Sequence, residues 1–312
     1  MALEAPTNEN TVVQLTDGRI FTKLKGVTTH TATSKETSVN YIIDNIRRKL
    51  PRVQQLPQFM QVKGPNVPII LIGGGPSLKR PEVVAELKEL AAKYETFACG
   101  SSHDWCVVNG ISPTYCAVVD SDPVTLNYLT KPQDKTVYMF ASQCHPDLFK
   151  RFENNRVVLW HCAGQGSVQE IENLEPGAVW IGGGCTVGLR AINLSIILGY
   201  SNIHLFGFDS CLGEDSEDHA YPLTEDREIH GLTGESGQIY LVRMGVDAPT
   251  SKEYRCMGYQ LAQLHNFQEL YERYGCYFTP TVHGGGAIAA AVEIINSRAE
   301  IHRKLSFQTL TI

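Results

Sequence analysis

The sequence predicts an α/β protein in which helices cover both faces of a mainly parallel, doubly wound sheet. Two observations support this fold class. Short apolar runs rich in β-branched residues alternate along much of the chain with segments whose apolar residues recur at helical spacing. The run at residues 68–72 has no polar residue, as expected for a strand buried on both faces, and it leads straight into Gly73, Gly74 and Gly75. A strand, a glycine turn and a helix in this order are typical of a Rossmann-like domain.

The N-terminal part of the chain has a different pattern. Two strand-like segments within residues 11–24 flank an Asp-Gly pair, which predicts a β-hairpin. Apolar residues at helical spacing over residues 39–50 predict a helix that Pro51 ends. We expect residues 1–66 to form a hairpin-and-helix appendage on a nucleotide-binding domain of residues 67–312.

The alternation of elements continues through the main domain. The predicted strands are residues 68–72, 96–99, 115–119, 136–140, 156–160, 179–181, 202–208 and 277–278. The predicted helices are residues 81–94, 103–108, 186–198 and 252–274, with a last helix from about residue 286. The segment from residue 210 to about 250 is long, polar and acidic, so we expect a lid loop there. Ligands of such sheets bind at the carboxyl ends of the strands.

The amino-acid composition and net charge limit the kinds of partner that we expect this protein to bind. The 312 residues carry a formal net charge of −6 without a dense basic stripe, so nucleic acid is not expected as a partner. The nine cysteines are scattered, which favours reduced thiols over a zinc ribbon or a disulfide framework. Neither a signal peptide nor a membrane-spanning run is visible. We therefore expect a cytoplasmic protein, and its oligomeric state stays open.

Glycines at strand ends mark candidate phosphate sites. Unpaired N–H groups and a helix dipole at such a junction favour an anion, although a tight turn without a ligand is the alternative. Leu78 stands where the dinucleotide fingerprint has a third glycine, and the Lys-Ser/Thr ending of a P-loop is missing. Standard NAD and Walker-type ATP binding are therefore disfavoured. The residues expected to bind a nucleotide are Gly73, Gly74, Gly75, Pro76, Ser77, Gly182, Gly183, Gly184 and Thr186.

Five ionisable residues, most of them near strand ends, are candidates for chemistry. Asp120 and Asp122 can hold Mg²⁺ between them, or Asp122 can simply cap a helix. Asp209 ends an apolar strand, where it would meet a ribose or a base, or form a turn. His219 lies in the acidic loop and suits general acid–base work, the alternative being a solvated loop histidine. His283 precedes a third glycine run, so it would contact phosphate, act in catalysis or cap the next helix.

Over residues 68–225 the chain resembles the MptE-like family. That family includes archaeal 6-hydroxymethylpterin diphosphokinases and the bacterial motility-associated transferases that glycosylate flagellin. The segments that carry the resemblance are IGGGPSL at 72–78, SPT at 112–114 leading to VVD at 118–120, GGGCTVG at 182–188, LGYSNIHLFGFD at 198–209 and HAY at 219–221. The chain is also similar to bacterial CMP-sialic-acid sialyltransferases, which place a Gly-x-Gly-Pro-Ser-Leu loop after the first strand. The resemblance implies a Rossmann-like fold that binds a nucleotide and transfers a sugar or a diphosphate.

Three functions stay open at this point. The first is glycosyl transfer from a nucleotide-activated sugar, a CMP-linked acid sugar, with the donor phosphate on Gly73–Ser77 and His219 in the lid. The second is ATP-dependent diphosphoryl transfer to a pterin-like alcohol, with Asp120 and Asp122 on Mg²⁺. The third is a non-catalytic nucleotide-binding accessory protein. For either transferase, the acceptor is a small molecule, a glycan or a protein.

Overall fold

The computed structural model describes residues 12–14, 33–163, 168–223, 238–245 and 251–297, with only the backbone of 12–14. Its strands are β1 (Val12–Gln14), β2 (Pro68–Ile72), β3 (Glu95–Cys99), β4 (Tyr115–Val118), β5 (Val137–Ala141), β6 (Arg156–Cys162), β7 (Trp180–Ile181), β8 (Asn202–Phe206), β9 (Ile239–Met244), β10 (Lys252–Met257) and β11 (Thr279–His283). Its helices are α1 (Lys35–Arg47), α2 (Pro81–Ala91), α3 (Ser102–Val108), α4 (Pro146–Arg151), α5 (Val168–Leu174), α6 (Val187–Ile197), α7 (Gly258–Tyr274) and α8 (287–297).

Eight strands form one sheet in the order β11-β8-β2-β3-β4-β5-β6-β7, and every neighbouring pair is parallel. The predicted α/β, doubly wound fold class is therefore confirmed. All five residues of β2 are buried, because this strand has a strand on each side and packed side chains on both faces. Helix α6 packs against β2, β3, β4 and β7, which brings its first turn to the carboxyl ends of the central strands.

The N-terminal helix α1 shares the core of the main sheet. Ile42 and Ile46 are buried within the same apolar cluster as β2. The side-chain amide of Asn45, also fully buried, donates to the backbone oxygens of Ser142 and Cys144 at 3.0 and 2.8 Å. These two bonds satisfy the amide and fix α1 to the segment that follows β5.

A second, three-stranded sheet differs from the sequence-based expectation. Its order is β1-β9-β10, with β1 parallel and β10 antiparallel to β9. Residues 252–257 were predicted as the start of a helix, and that prediction is wrong, because pairing with β9 holds them as a strand until α7 begins at Gly258. Strand β9 itself lies within the expected lid loop. The partner strand of the predicted N-terminal hairpin, residues 19–24, lies outside the described residues.

Two further observations concern the described residues as a whole. All nine cysteines fall within them and none is paired in a disulfide. None of their helices combines the length and the apolar character needed to cross a bilayer.

Candidate functional site

A cavity of about 150 Å³ lies where β2 and β8 end. Four parts of the chain line it: the glycine loop after β2, the end of β8 with Asp209 and Ser210, the first turn of α6, and the first two turns of α7. The cavity is also lined by Asp218 and His219 and, at and just after the end of β3, by Cys99 and Ser101. The position agrees with the expected ligand site at the carboxyl ends of parallel strands.

The glycine loop uses most of its N–H groups inside the protein. Gly73 and Gly75 donate to backbone oxygens at the end of β8 at 2.8 and 2.9 Å. The Asp209 carboxylate accepts the N–H and the hydroxyl of Ser77 at 3.3 and 2.8 Å. A Cβ on Gly75 would overlap that carboxylate, so a glycine is required here by close packing of two strand ends. The N–H of Gly74 has no hydrogen-bond partner among the described residues, so Gly74 is the loop member best placed to meet a ligand.

Asp209 is a buried carboxyl group that lines the cavity. Its residue is only 5% exposed, and burial raises the pKa of its carboxyl group from 3.8 to about 6. The hydrogen bonds from Ser77 act in the opposite direction, because they stabilise the ionised form. The site can therefore hold Asp209 in either protonation state within a physiological range of pH.

Ser210 is a cavity residue that the sequence analysis did not identify. Its backbone adopts φ = 48°, in the left-handed region that non-glycine residues rarely occupy. Its hydroxyl oxygen is buried and has no hydrogen-bond partner among the described residues. The left-handed backbone and the unpaired hydroxyl each lower the stability of the folded protein. Such features cluster at functional sites.

The first turn of α6 presents unused donors to the cavity. The Thr186 side chain caps the helix by accepting the Leu189 N–H at 3.4 Å, and it accepts a second bond from the amide of Gln263, also at 3.4 Å. The N–H groups of Val187 and Gly188 precede the first intrahelical bonds and have no other partner among the described residues. Both residues line the cavity, so this helix end offers an anion two N–H groups and the helix dipole.

His219 lies on a segment that crosses the glycine loop. The adjacent Ala220 donates its N–H to the Gly74 oxygen at 2.9 Å, and the Tyr221 hydroxyl bonds that of Ser101 at 2.9 Å. A Cβ on Gly74 would lie 2.7 Å from His219 Cδ2, so only glycine leaves room for the ring. His219 therefore faces the loop at the edge of the cavity.

The three glycines at 182–184 line a separate cavity, together with Asn266 and Arg273 of α7. The φ values of Gly183 and Gly184 are positive, 127° and 85°, and a Cβ on Gly184 would contact the Asn266 side chain at 2.6 Å. The structure thus brings Thr186 to the site at β2 and β8 but not Gly182, Gly183 or Gly184. Nucleotide contact by these glycines stays a prediction.

Asp120 and Asp122 do not line the cavity at β2 and β8. Asp122 accepts the Val124 N–H at 2.8 Å and caps the short 3₁₀ helix that follows, while Asp120 accepts the Asp122 N–H at 3.0 Å. These contacts agree with the helix-cap alternative. No group of three or more metal-binding side chains occurs within the described residues. A magnesium ion on this pair stays a prediction.

His283 lies at the outer edge of the sheet, away from the cavity. Its ring bonds His204 at 2.9 Å and Glu86 at 3.0 Å, and it stacks on Phe206 with 4.0 Å between ring centroids. Burial lowers the pKa of both histidines. Both ring nitrogens of His283 are thus occupied by protein partners, and a catalytic role for it stays a prediction.

With this geometry in place, comparison with known proteins is informative. The family model described as 6-hydroxymethylpterin diphosphokinase MptE-like matches residues 42–215, more than half of the chain. The chain belongs to the MptE-like family. The resemblance predicted from the sequence is confirmed, and the match covers the glycine loop, the first turn of α6 and Asp209. No curated protein matches this chain at a significant level.

A solved structure shares the fold of this MptE-like chain. The MAf glycosyltransferase from Magnetospirillum magneticum AMB-1 is 15% identical, with a TM-score of 0.60 over 82% of this chain and 37% of that one. This chain thus spans little more than a third of that neighbour, which shows a shared fold alone. A mammalian sialyltransferase in complex with Gal-beta-1-3GalNAc-ortho-nitrophenol is 11% identical, with a TM-score of 0.33. The alignment covers 64% of this chain and 83% of the sialyltransferase chain. The second similarity is too weak to support an argument.

Proposed function

We propose that this MptE-like chain is a nucleotide-dependent transferase that moves a sugar from a CMP-type donor. The observation that carries the proposal is that the first turn of α6 and His219 meet in one cavity at the ends of β2 and β8. One part of that site suits a phosphate, and the other suits proton transfer. The matching family is described as a diphosphokinase and the MAf neighbour as a glycosyltransferase, and both descriptions agree with transferase activity.

The charges around the cavity favour a donor with few phosphates. Its phosphate-binding groups are the N–H groups of Val187 and Gly188, which attract an anion through partial charges. Asp209 and Asp218 line the same cavity, and ionised carboxylates repel an anion nearby. A CMP-sugar brings one phosphate group, whereas ATP brings three. The repulsion is therefore smaller for the CMP-type donor.

The proposed reaction is a direct displacement at the sugar. His219 accepts the proton of the acceptor hydroxyl as the acceptor oxygen forms its bond to the anomeric carbon. The bond between that carbon and the donor phosphate oxygen breaks, and the electron pair stays on the CMP that leaves. Donors at the first turn of α6 stabilise the charge that develops on this phosphate.

Diphosphoryl transfer from ATP to a pterin-like alcohol is the second candidate, because the matching family model is described as a diphosphokinase. It would require phosphates and Mg²⁺ near Asp120 and Asp122. A non-catalytic nucleotide-binding accessory protein is the third candidate. For each transferase, the acceptor would be a small molecule, a glycan or a protein.

A thermal-shift screen separates these candidates, because a ligand that binds only the folded state raises the apparent stability. CMP, CDP, UDP, GDP and ATP are each tested with Mg²⁺ and with EDTA. We expect the largest shift with CMP, unchanged by EDTA, followed by slow hydrolysis of a CMP-sugar with water as acceptor. A preference for ATP that requires Mg²⁺ would instead support the diphosphokinase, and nucleotide binding without any turnover would support the accessory protein.

A further inference from the structure

Asp218 lies beside His219 and is the acceptor within reach of its Nδ1. Asp218 Oδ1 and His219 Nδ1 are 3.4 Å apart, at the long limit of a hydrogen bond. The Nδ1 atom is buried and has no hydrogen-bond partner among the described residues. Catalytic hydrogen bonds are often long in free enzymes and shorten when the substrate binds.

The other oxygen of Asp218 is held by α7. The hydroxyl of Tyr259 donates to Asp218 Oδ2 at 3.2 Å, and the Asp218 side chain is 2% exposed. Tyr259 is the second residue of α7, whose start is fixed in two ways. The preceding β10 is paired with β9 over six residues, and the Gln260 side chain accepts the Met257 N–H at 2.9 Å. Tyr259 therefore reaches Asp218 from a rigid position.

The orientation of the His219 ring matches this arrangement. A Cβ on Gly74 would lie 2.7 Å from His219 Cδ2 and 3.4 Å from Nε2, so the Cδ2–Nε2 edge of the ring faces the glycine loop. The opposite edge, with Nδ1, faces Asp218. A carboxylate that accepts the Nδ1 proton selects the tautomer in which Nε2 is a free proton acceptor.

We propose that Tyr259 and Asp218 are positioning residues that hold the His219 ring with the proton on Nδ1 and with Nε2 free toward the cavity. This inference rests on the proposed role of His219 as general base. Tyr259 keeps one carboxylate oxygen occupied, and the other oxygen then serves His219. Neither residue touches the reacting atoms, so loss of the uncharged Tyr259 hydroxyl impairs proton transfer and leaves donor binding intact.

The test compares Tyr259→Phe with Tyr271→Phe in the full chain. Tyr271 lies on the same helix, its hydroxyl bonds Asn296 at 2.8 Å, and it does not line the cavity, so the control loses an equivalent hydrogen bond elsewhere. We expect Tyr259→Phe to lower kcat for CMP-sugar hydrolysis about tenfold with KM unchanged, the scale of one lost hydrogen bond to a charged group. Tyr271→Phe should match the wild type. Equal kcat in both variants would overturn the inference.

A second readout separates this inference from the proposed function. Nitrogen NMR of the histidine rings, assigned with His219→Gln, reports which nitrogen of His219 carries the proton without any turnover. We expect the Nδ1–H form in the wild type and a mixture of tautomers in both Tyr259→Phe and Asp218→Asn. If the wild type lacks turnover but shows this pattern, the transferase proposal fails and the positioning pair stands. A His219 tautomer that is the same in all three proteins would refute the pair.

Discussion

Replacing Asp209 by asparagine should make the free energy of unfolding less dependent on pH. Burial raises the pKa of this carboxyl group from its ordinary value of 3.8 to about 6 in the folded protein. A difference of about two pKa units corresponds to about 3 kcal/mol. Asparagine is nearly the same size, and its side-chain oxygen can still accept the two bonds from Ser77.

The sign of the effect follows from proton binding. Between pH 4 and pH 6 the unfolded chain has already lost the Asp209 proton while the folded chain retains it, so the stability of the wild type falls as pH rises. The contribution of Asp209 is thus most favourable below pH 4 and is lost as pH passes through about 6. Asparagine does not titrate. The stability of Asp209→Asn relative to wild type should therefore rise by about 3 kcal/mol from pH 4 to pH 7.5.

Urea unfolding of both proteins at several pH values measures this difference, provided that the m values agree. The new amide N–H₂ group adds an offset that is the same at every pH, so the change across the pH range is the informative quantity. Asp120→Asn, at an exposed carboxylate, is the control for the same substitution without burial. A difference for Asp209→Asn that is constant across the pH range would refute the argument that burial raises this pKa.

Substitutions at three other positions test the site. Gly74→Ala places a Cβ 2.7 Å from the ring of His219, so we expect donor turnover to fall at least tenfold in a folded protein. An unchanged kcat would contradict the close approach of His219 to Gly74. Ser210→Gly removes the cost of a non-glycine residue at φ = 48°, so thermal melts should show a gain in stability of about 1 kcal/mol. A loss of stability would show that the Ser210 hydroxyl has a partner in the free protein. Thr186→Ala removes the helix cap, so it should lower the free energy of unfolding by about 1 kcal/mol and weaken CMP binding, whereas Thr186→Ser retains the cap. Equal CMP affinities of the two variants, measured by calorimetry, would argue against α6 as the phosphate site.

Much of the fold follows from local pattern. An uninterrupted apolar run predicted β2, and apolar residues at helical spacing after the proline at position 81 predicted α2. Strand β10 was missed because charged residues fill it, at Lys252, Glu253 and Arg255. Its strand conformation depends on pairing with β9, which local propensity does not report.

The candidate site shows the same division. The sequence by itself determined that Gly73–Ser77, Thr186 and Asp209 would lie near strand ends, because glycine turns and polar residues follow buried apolar runs. It placed His219 in the acidic loop that follows. His219 was accompanied by a visible signal, the adjacent Asp218. Nothing in the sequence indicated Tyr259, because it reaches the site through the pairing of β9 with β10.

Only the tertiary structure decided which of the predicted residues share a cavity. Consecutive strands in the chain are not always neighbours in the sheet: β8 lies beside β2, whereas β4 lies two strands away and β11 forms an edge. Asp209 therefore meets the glycine loop and accepts the Ser77 N–H there, while Asp120 and His283 lie elsewhere along the same edge of the sheet. The periodicity of a strand reports its burial and its direction, and the order of strands depends on packing between distant segments.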